Sequence, residues 1–76
     1  MTALTDTDLL MLAVERRFYA HAGGKEQAIA DELGLTATRY YQLLSQLINR
    51  PEALTADPVT VNRLRRLRAR RRVRAA

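Results

Sequence analysis

The sequence contains no cysteine and only one histidine, His21. The absence of cysteine excludes disulfides, thiolate zinc sites and catalysis by a thiol. A single histidine among scattered carboxylates leaves no pair of base and nucleophile, and no spacing that would hold a metal ion. We therefore predict a protein that is not an enzyme and that has no catalytic residues, metal site or cofactor.

Long apolar runs are also missing, since the longest covers only residues 9–14. A membrane-spanning helix needs about 20 such residues, and the apolar part of a signal peptide needs about 7–15. Asp6 and Asp8 precede the run, where a signal peptide would carry positive charge. We expect a soluble chain that does not contact membranes and stays in the cytoplasm, at the nucleoid if it binds DNA.

Acidic residues are absent after Asp57. Residues 1–57 carry five basic and eight acidic side chains, a net charge of −3, whereas residues 58–76 carry eight arginines and no acid, a net charge of +8. Such asymmetry predicts a polyanionic partner. Three tyrosines and one phenylalanine are too few to favour stacking on single-stranded bases. Double-stranded DNA is the predicted partner, and folded RNA stays open because arginine-rich helices also bind it.

Most of the local structural signals in the sequence, both the periodicity of apolar residues and the capping residues, indicate α-helices. Thr5 and Asp8 have the spacing of a capping box, and the glycines at 23 and 24 predict the end of a first helix with His21 in its last turn. Glu15 and Arg16 are neighbours that cannot face each other on a helix, so no ion pair is predicted there. The predicted apolar face of this helix comprises Leu9, Leu12, Ala13, Arg16, Arg17 and Ala20.

Three further helices follow. We predict a short second helix over residues 25–33, a third over 37–49, and a connector over 50–57 with one helical turn at 51–54. Asp57 followed by Pro58 predicts the start of a fourth helix that runs to about Arg72. The apolar stripe of this last helix is short and consists of Val61, Leu64 and Leu67.

Residues 25–49 have the pattern of a helix-turn-helix. Ala30 is the small residue that would let two helices cross closely, Gly34 suits the turn, and Leu35 follows it. The apolar residues that would dock the helices on each other are Ile29, Leu33, Tyr40 and Leu43. An ordinary pair of antiparallel helices is the alternative.

Several sequence blocks resemble a known family. These are GKEQAI at 24–29, TRYYQ at 38–42, NRPEAL at 49–54, DP at 57–58 and RLRRLR at 63–68. Together they resemble a small actinobacterial helix-turn-helix family that is classed as a domain of unknown function, over roughly residues 8–70. The resemblance implies a helical fold and a role in DNA binding or transcriptional regulation, with no implied ligand or target.

The second helix of the motif would lie in the major groove, with the residues near its N-terminus on the base edges. Arginine can read guanine and glutamine can read adenine, while small methyl groups suit thymine. Arg39 could instead contact a phosphate or remain solvated, and Tyr41 could bind a phosphate or pack partly inside. The candidate base contacts are Thr36, Ala37, Thr38, Arg39, Tyr41, Gln42, Ser45 and Gln46.

The arginine-rich helix has three possible roles: a solubilising tail, an amphipathic helix on an anionic membrane, or a binder of nucleic-acid phosphates or of the minor groove. Self-repulsion disfavours the first, and the short apolar side disfavours the second. Five to seven phosphate contacts would give a slope of log K against log[salt] of about −4.5 to −6. The candidate phosphate contacts are Lys25, Arg50, Arg63, Arg65, Arg66, Arg68, Arg70, Arg71, Arg72 and Arg74.

The predicted fold is all-α, a small helical domain of three core helices that contains a helix-turn-helix, plus an arginine-rich C-terminal helix. Residues 1–57 would form the core, with the motif at about 25–49, and residues 58–76 the basic helix and tail. The predicted function is duplex DNA binding as a transcriptional regulator or nucleoid-associated protein, as a homodimer or cooperative oligomer. Leu9, Met11 and Val14 are candidates for self-contact, although packing in the core is the favoured role for most of them. The alternative is an adaptor that binds RNA polymerase or a sigma-like factor through the motif.

Overall fold

The computed structural model describes residues 3–75, with side chains for residues 3–70, and within these limits the backbone forms five helices and no strand. In chain order they are α1 (Asp6–Arg17), α2 (Lys25–Ala28, continued by a wider π-type turn at Ile29–Leu33), α3 (Ala37–Leu47), α4 (Pro51–Ala56) and α5 (Pro58–Ala75). The prediction of a small all-α domain is confirmed. The helix α4 is longer than the single turn expected at 51–54.

The start of α1 is the predicted capping box. The backbone N–H of Thr5 donates to Asp8 Oδ2 at 2.9 Å, and the N–H of Asp8 donates to Thr5 Oγ1 at 3.1 Å. The helix ends at Arg17, so the predictions that it reaches Ala20 and that His21 lies in its last turn are wrong. At this end of the helix, the guanidinium of Arg63 bonds the carbonyl of Glu15 at 3.4 Å.

The buried side of α1 differs from the predicted apolar face. Met11, Leu12, Val14 and Glu15 are buried, whereas Leu9 is 48% exposed. The predicted face counted Leu9 as inward because it is apolar, but the core closes around the opposite side, on which Glu15 lies. Met11 and Val14 therefore lie in the core, the role favoured for most of the three candidates for self-contact, and Leu9 is the one that is exposed.

The second helical segment ends in a turn at Gly34, whose φ is +66°, a left-handed conformation that glycine adopts at little cost. Thr36 then starts α3, since its Oγ1 accepts from the N–H of Arg39 at 3.2 Å. Residues 25–47 thus form two helical segments joined at a glycine. Ala30 is exposed, so the prediction that it lies at a close helix crossing is wrong. The π-type turn that begins at Ile29 changes the direction in which the following side chains point.

The last helix begins as predicted, since Asp57 Oδ1 accepts from the N–H of Thr60 at 3.2 Å and Pro58 occupies the first helical position. Its backbone continues to Ala75, past the predicted end at Arg72. Thr60 and Val61 are fully buried, Leu64 is half-buried and Leu67 is exposed. The first half of α5 therefore belongs to the core, and the helix leaves the core near Leu67.

One apolar core holds the helices together. It consists of Met11, Leu12, Val14, Ile29, Tyr40, Leu44, Leu47, Ile48, Ala53 and Val61. Every helix contributes to it, α2 through its π-type turn. None of the helices described here is long and apolar enough to cross a membrane.

Candidate nucleic-acid interface

The outer face of α3 carries the candidate base contacts. Tyr40, Leu44 and Leu47 hold the opposite face of this helix in the core. Seven of the eight candidates are exposed, and Ala37 is half-buried. The outer face of α3 comprises Thr36, Ala37, Thr38, Arg39, Tyr41, Gln42, Ser45 and Gln46.

Some polar groups of this face already form hydrogen bonds within the protein. The hydroxyl of Thr36 accepts the capping bond, so it is occupied by the start of α3. Arg39 is exposed and donates from Nη1 to Gln42 Oε1 at 3.4 Å, which aligns two side chains one turn apart. Thr38, Gln42 and Ser45 follow one another along a single line, because residues three and four apart share a helix face. The face is therefore a row of hydroxyl and amide groups with a guanidinium at one side.

Tyr41 marks the edge of this row next to α2. Its ring meets that of Tyr40 edge to face, with centroids 5.1 Å apart, and the ammonium of Lys25 lies 5.1 Å from its ring centre. The ring is nevertheless 42% exposed. Tyr41 therefore packs on one side and is exposed on the other, and its contact with a phosphate stays a prediction.

Lys25, a candidate phosphate contact, is turned inward. Its Nζ lies 2.9 Å from Glu15 Oε2, and both side chains are mostly buried. Burial by itself lowers the pKa of Lys25, but the bonds to Glu15 and Tyr41 outweigh burial and raise the pKa above its usual value. The lysine is thus charged and already neutralised by a carboxylate, so it adds little free positive charge to the surface.

Glu15 is the residue that sequence reasoning missed. Besides the pair with Lys25, it accepts a hydrogen bond of 2.5 Å at Oε2 from the hydroxyl of Tyr40. Burial and then the bond to Glu15 raise the pKa of Tyr40, so the phenol stays protonated. As predicted, Glu15 does not pair with its neighbour Arg16, which pairs with Asp57 instead, and the partner of Glu15 lies on another helix. The available signal was its spacing of four from Met11 and three from Leu12, which places it on the buried side of α1.

Three arginines of α5 attach this helix to the ends of α1 and α3. Arg63 bonds the carbonyl of Glu15 and also lies over the ring of Tyr19, with its Cζ 3.7 Å from the ring centre. Arg65 Nε donates to the carbonyl of Ile48 at 2.5 Å. Arg68 donates to the carbonyl of Ser45 at 3.2 Å and to Asn49 Oδ1 at 2.8 Å. The last carbonyls of a helix lack intrahelical partners and carry partial negative charge, so guanidinium groups stabilise them.

The remaining phosphate candidates fall into three groups. Arg66 and Arg70 are exposed on α5. Arg71, Arg72 and Arg74 lie on the backbone of α5, but their side chains are outside the described residues. Arg50 pairs with Asp8 at 3.3 Å and with Glu52 at 3.6 Å on the body of the domain.

Ion pairs neutralise most of the basic side chains that precede α5. Arg16 pairs with Asp57 at 2.7 Å, and Arg17 pairs with Glu32 through both of its terminal nitrogens. Together with the pairs of Lys25 and Arg50, these contacts involve four of the five basic residues between residues 3 and 57, and Arg39 is the fifth. Uncompensated positive charge is therefore concentrated on Arg39 and α5.

A groove lies between α3 and α5. Its volume is about 460 Å³, and its walls are Glu15, Lys25, Tyr41, Leu44, Ser45, Ile48, Leu64, Leu67 and Arg68. It connects the Tyr41 and Ser45 side of the outer face of α3 to the arginines of α5. Nowhere in the described part of the chain do three histidine or carboxylate side chains gather as a metal ligand set would.

These features define a small all-α protein in which an arginine-rich helix is fixed beside an exposed polar helix face. The family described as "Protein of unknown function (DUF3263)" matches residues 3–75, and the chain belongs to that family. No curated protein and no solved structure matches the sequence. The resemblance to a family of unknown function is confirmed. The actinobacterial origin, the helix-turn-helix character and the DNA-binding role that it implied stay predictions.

Proposed function

We propose that this protein binds double-stranded DNA, with the outer face of α3 in the major groove and the arginines of α5 on neighbouring phosphates. In this proposal the segment from Lys25 through Gly34 to Leu47 acts as a helix-turn-helix. The first segment supports α3 from behind, and α3 presents its N-terminal half to base edges. The protein would act as a transcriptional regulator or a nucleoid-associated protein.

The observation that carries the proposal is the attachment of Arg68 to α3. Its bonds to Ser45 and Asn49 hold the basic helix at the C-terminal end of the exposed face. An arginine helix that pointed away from α3 could not reach phosphates on the same stretch of duplex. Here both surfaces border one groove, so a duplex lying on α3 would have the guanidinium groups of α5 beside it.

The distribution of charge supports the same partner. The basic residues of α1–α4 are mostly paired and residues 1–57 carry a net charge of −3, while α5 concentrates positive charge. Phosphate contacts supply most of the sequence-independent affinity of DNA-binding proteins. Arg66 and Arg70 are exposed, and in this proposal they bind phosphates together with Arg71, Arg72 and Arg74, whose side chains lie outside the described residues. Five phosphate contacts would give a slope of log K against log[salt] of about −4.5.

Specificity would come from Arg39 and Gln42. Both side chains are exposed and aligned one turn apart, in the half of α3 nearest its N-terminus. A good bidentate contact from arginine to guanine or from glutamine to adenine contributes about 1–3 kcal/mol of discrimination. A single module of this size covers about 600–1,000 Å² of DNA, so the reading of sequence is modest for one copy.

The decisive experiment measures binding to short random duplexes as salt is titrated, with stoichiometry followed. We expect binding in dilute buffer, with the slope given above. Replacing Arg70, Arg71, Arg72 and Arg74 by Gln is expected to weaken all duplexes alike and to flatten the slope. Replacing Arg39 and Gln42 by Ala is expected to reduce discrimination between sequences and to leave the slope nearly intact. Asn62→Ala, which removes an exposed amide near the start of α5 and outside the groove, is the control.

Two results would contradict the proposal. A purified protein that ignores duplex DNA in dilute buffer, or a four-arginine variant that binds normally at physiological salt, removes the electrostatic basis. Capture of the protein on RNA polymerase, together with weak binding to naked DNA, would favour an adaptor role instead. Strong discrimination between duplexes would indicate a regulator, and uniform affinity a nucleoid-coating role.

A further inference from the structure

The solvent-facing side of α1 carries a pattern that is complementary to itself. Asp6, Leu10, Ala13 and Arg17 follow one another at spacings of four, three and four residues. Residues at these spacings share one line along a helix. Asp6, Leu10 and Arg17 are exposed, and Ala13 is half-buried. The carboxylate of Asp6 lies at one end of this line and the guanidinium of Arg17, which also pairs with Glu32, lies at the other, with apolar side chains between them.

The order of spacings reads the same in both directions. When a second copy of α1 runs antiparallel along this line, Asp6 faces Arg17 of the other copy, and Leu10 faces Ala13. Both ends of such a pair match acid with base, and each leucine meets a small side chain that allows close approach. A parallel arrangement would instead place Asp6 against Asp6 and Arg17 against Arg17, which repel each other.

The neighbouring side chains enlarge the same surface. Leu9, 48% exposed, stands beside Leu10, 45% exposed, so two large apolar residues lie next to each other on one helix. Asp6 has no hydrogen-bond or ion-pair partner among the residues that the structure describes. Arg17 is fixed by Glu32, at 3.1 Å and 2.5 Å, and keeps further N–H donors for a second carboxylate.

We infer that α1 is a homodimer surface, on which two copies pair antiparallel about a two-fold axis between Leu10 and Ala13. A two-fold contact uses the same patch on both copies, which the palindromic spacing satisfies. The line covers a single helix of 12 residues, so the association is of the weak class that buries less than about 1,200 Å². This inference does not depend on DNA binding, because it concerns the free protein.

The test is analytical ultracentrifugation of the full chain without DNA, up to millimolar concentration. We expect a reversible monomer–dimer equilibrium for the wild-type protein. Leu10→Glu places a charge at the centre of the contact and is expected to give a monomer. Leu67→Glu is the matched control, since Leu67 on α5 is similarly exposed, and it is expected to dimerise as the wild type does. Circular dichroism checks that both variants remain helical.

The antiparallel register has its own test. Asp6→Arg and Arg17→Glu, each alone, place like charges at both ends of the dimer and are expected to weaken it. An equimolar mixture of the two variants forms pairs in which both ends are again complementary, so dimers are expected to return. A monomeric wild type, a dimer that survives Leu10→Glu, or a mixture that associates no better than its components would overturn the inference.

Discussion

Glu15 and Lys25 form an ion pair that joins α1 to the start of α2, with Nζ 2.9 Å from Oε2 and Tyr40 donating to the same carboxylate. The pair lies directly behind Tyr41, at the edge of the outer face of α3. A buried charge is costly without its partner, so this contact fixes the relative position of three helices. The proposed DNA-binding surface therefore rests on a polar network beneath it.

The first prediction concerns that network. Glu15→Gln leaves the ammonium of Lys25 mostly buried without its counter-charge. Loss of one partner from a fully buried pair costs about 3–5 kcal/mol, and because Lys25 keeps some access to water we expect a loss of about 2–3 kcal/mol in the free energy of unfolding. Urea unfolding followed by circular dichroism measures it. The exposed Glu26→Gln is the control, and an equal effect of both variants would mean that the pair contributes nothing.

The second prediction concerns pH and Asp57. Burial by itself raises the pKa of Asp57, but hydrogen bonds from Arg16 and Thr60 outweigh burial and hold the pKa below its usual value. A carboxyl group with a lowered folded pKa stabilises the protein above its unfolded pKa, about 3.9, and this contribution is lost as pH falls through the folded pKa. Asp57→Asn keeps a capping side chain but removes the charge.

We therefore expect the stability difference between the wild type and Asp57→Asn to be largest near neutral pH and to shrink below about pH 4. Denaturant unfolding across this range measures the difference. Arg16→Gln removes the other half of the pair and is expected to show the same trend. A difference that stays constant with pH would show that the effect of Asp57 is not electrostatic.

The third prediction separates two groups of arginines on α5. Arg65→Gln with Arg68→Gln removes three hydrogen bonds from charged groups to the end of α3, one of them to the carbonyl of the buried Ile48, and is expected to cost about 1–2 kcal/mol of stability. Arg66→Gln with Arg70→Gln is the matched pair, of equal charge change, and is expected to alter stability by less than about 0.5 kcal/mol. The second pair is expected to reduce the salt slope of DNA binding by about 1.8.

Thermal unfolding and salt-titrated binding, measured on both double variants, test this separation. If the two pairs shift the melting temperature equally, the contacts of Arg65 and Arg68 have no structural role. If Arg66 and Arg70 leave the salt slope unchanged, these two arginines do not reach phosphates.

The fourth prediction concerns the turn before α3. Gly34→Ala puts a side chain on a backbone with φ of +66°, where nothing lies within 4 Å of the added carbon, so the cost is conformational and we expect about 1 kcal/mol. Gly34→Asn is expected to cost less, because asparagine tolerates this region. Gly23→Ala also meets open space, but without a positive φ, and serves as the control. Equal melting temperatures for Gly34→Ala and Gly23→Ala would contradict the argument.

The starts of most helices of this protein could be predicted from the sequence, whereas the ends of α1, α3, α4 and α5 differ from the prediction. Thr5 with Asp8, Thr36, and Asp57 with Pro58 each start a helix through bonds to residues three positions away or through the fixed geometry of proline. Such local interactions are the same in any surroundings, so they can be recognised without coordinates. The outer face of α3 was predictable for a similar reason, because its apolar residues recur with the helical period.

The inner side of α1 and the roles of the α5 arginines needed the tertiary structure. Glu15 is buried because Lys25 and Tyr40 converge on it from other helices, and Arg63, 48 residues away, bonds its carbonyl at the end of α1. Arg65 and Arg68 look the same as Arg66 in the sequence, but only the first two face the end of α3. Contacts with residues distant along the chain decide which side of α1 is buried and which arginines of α5 bond to α3. The local sequence determines where a helix can form, whereas packing determines which of its sides turns inward.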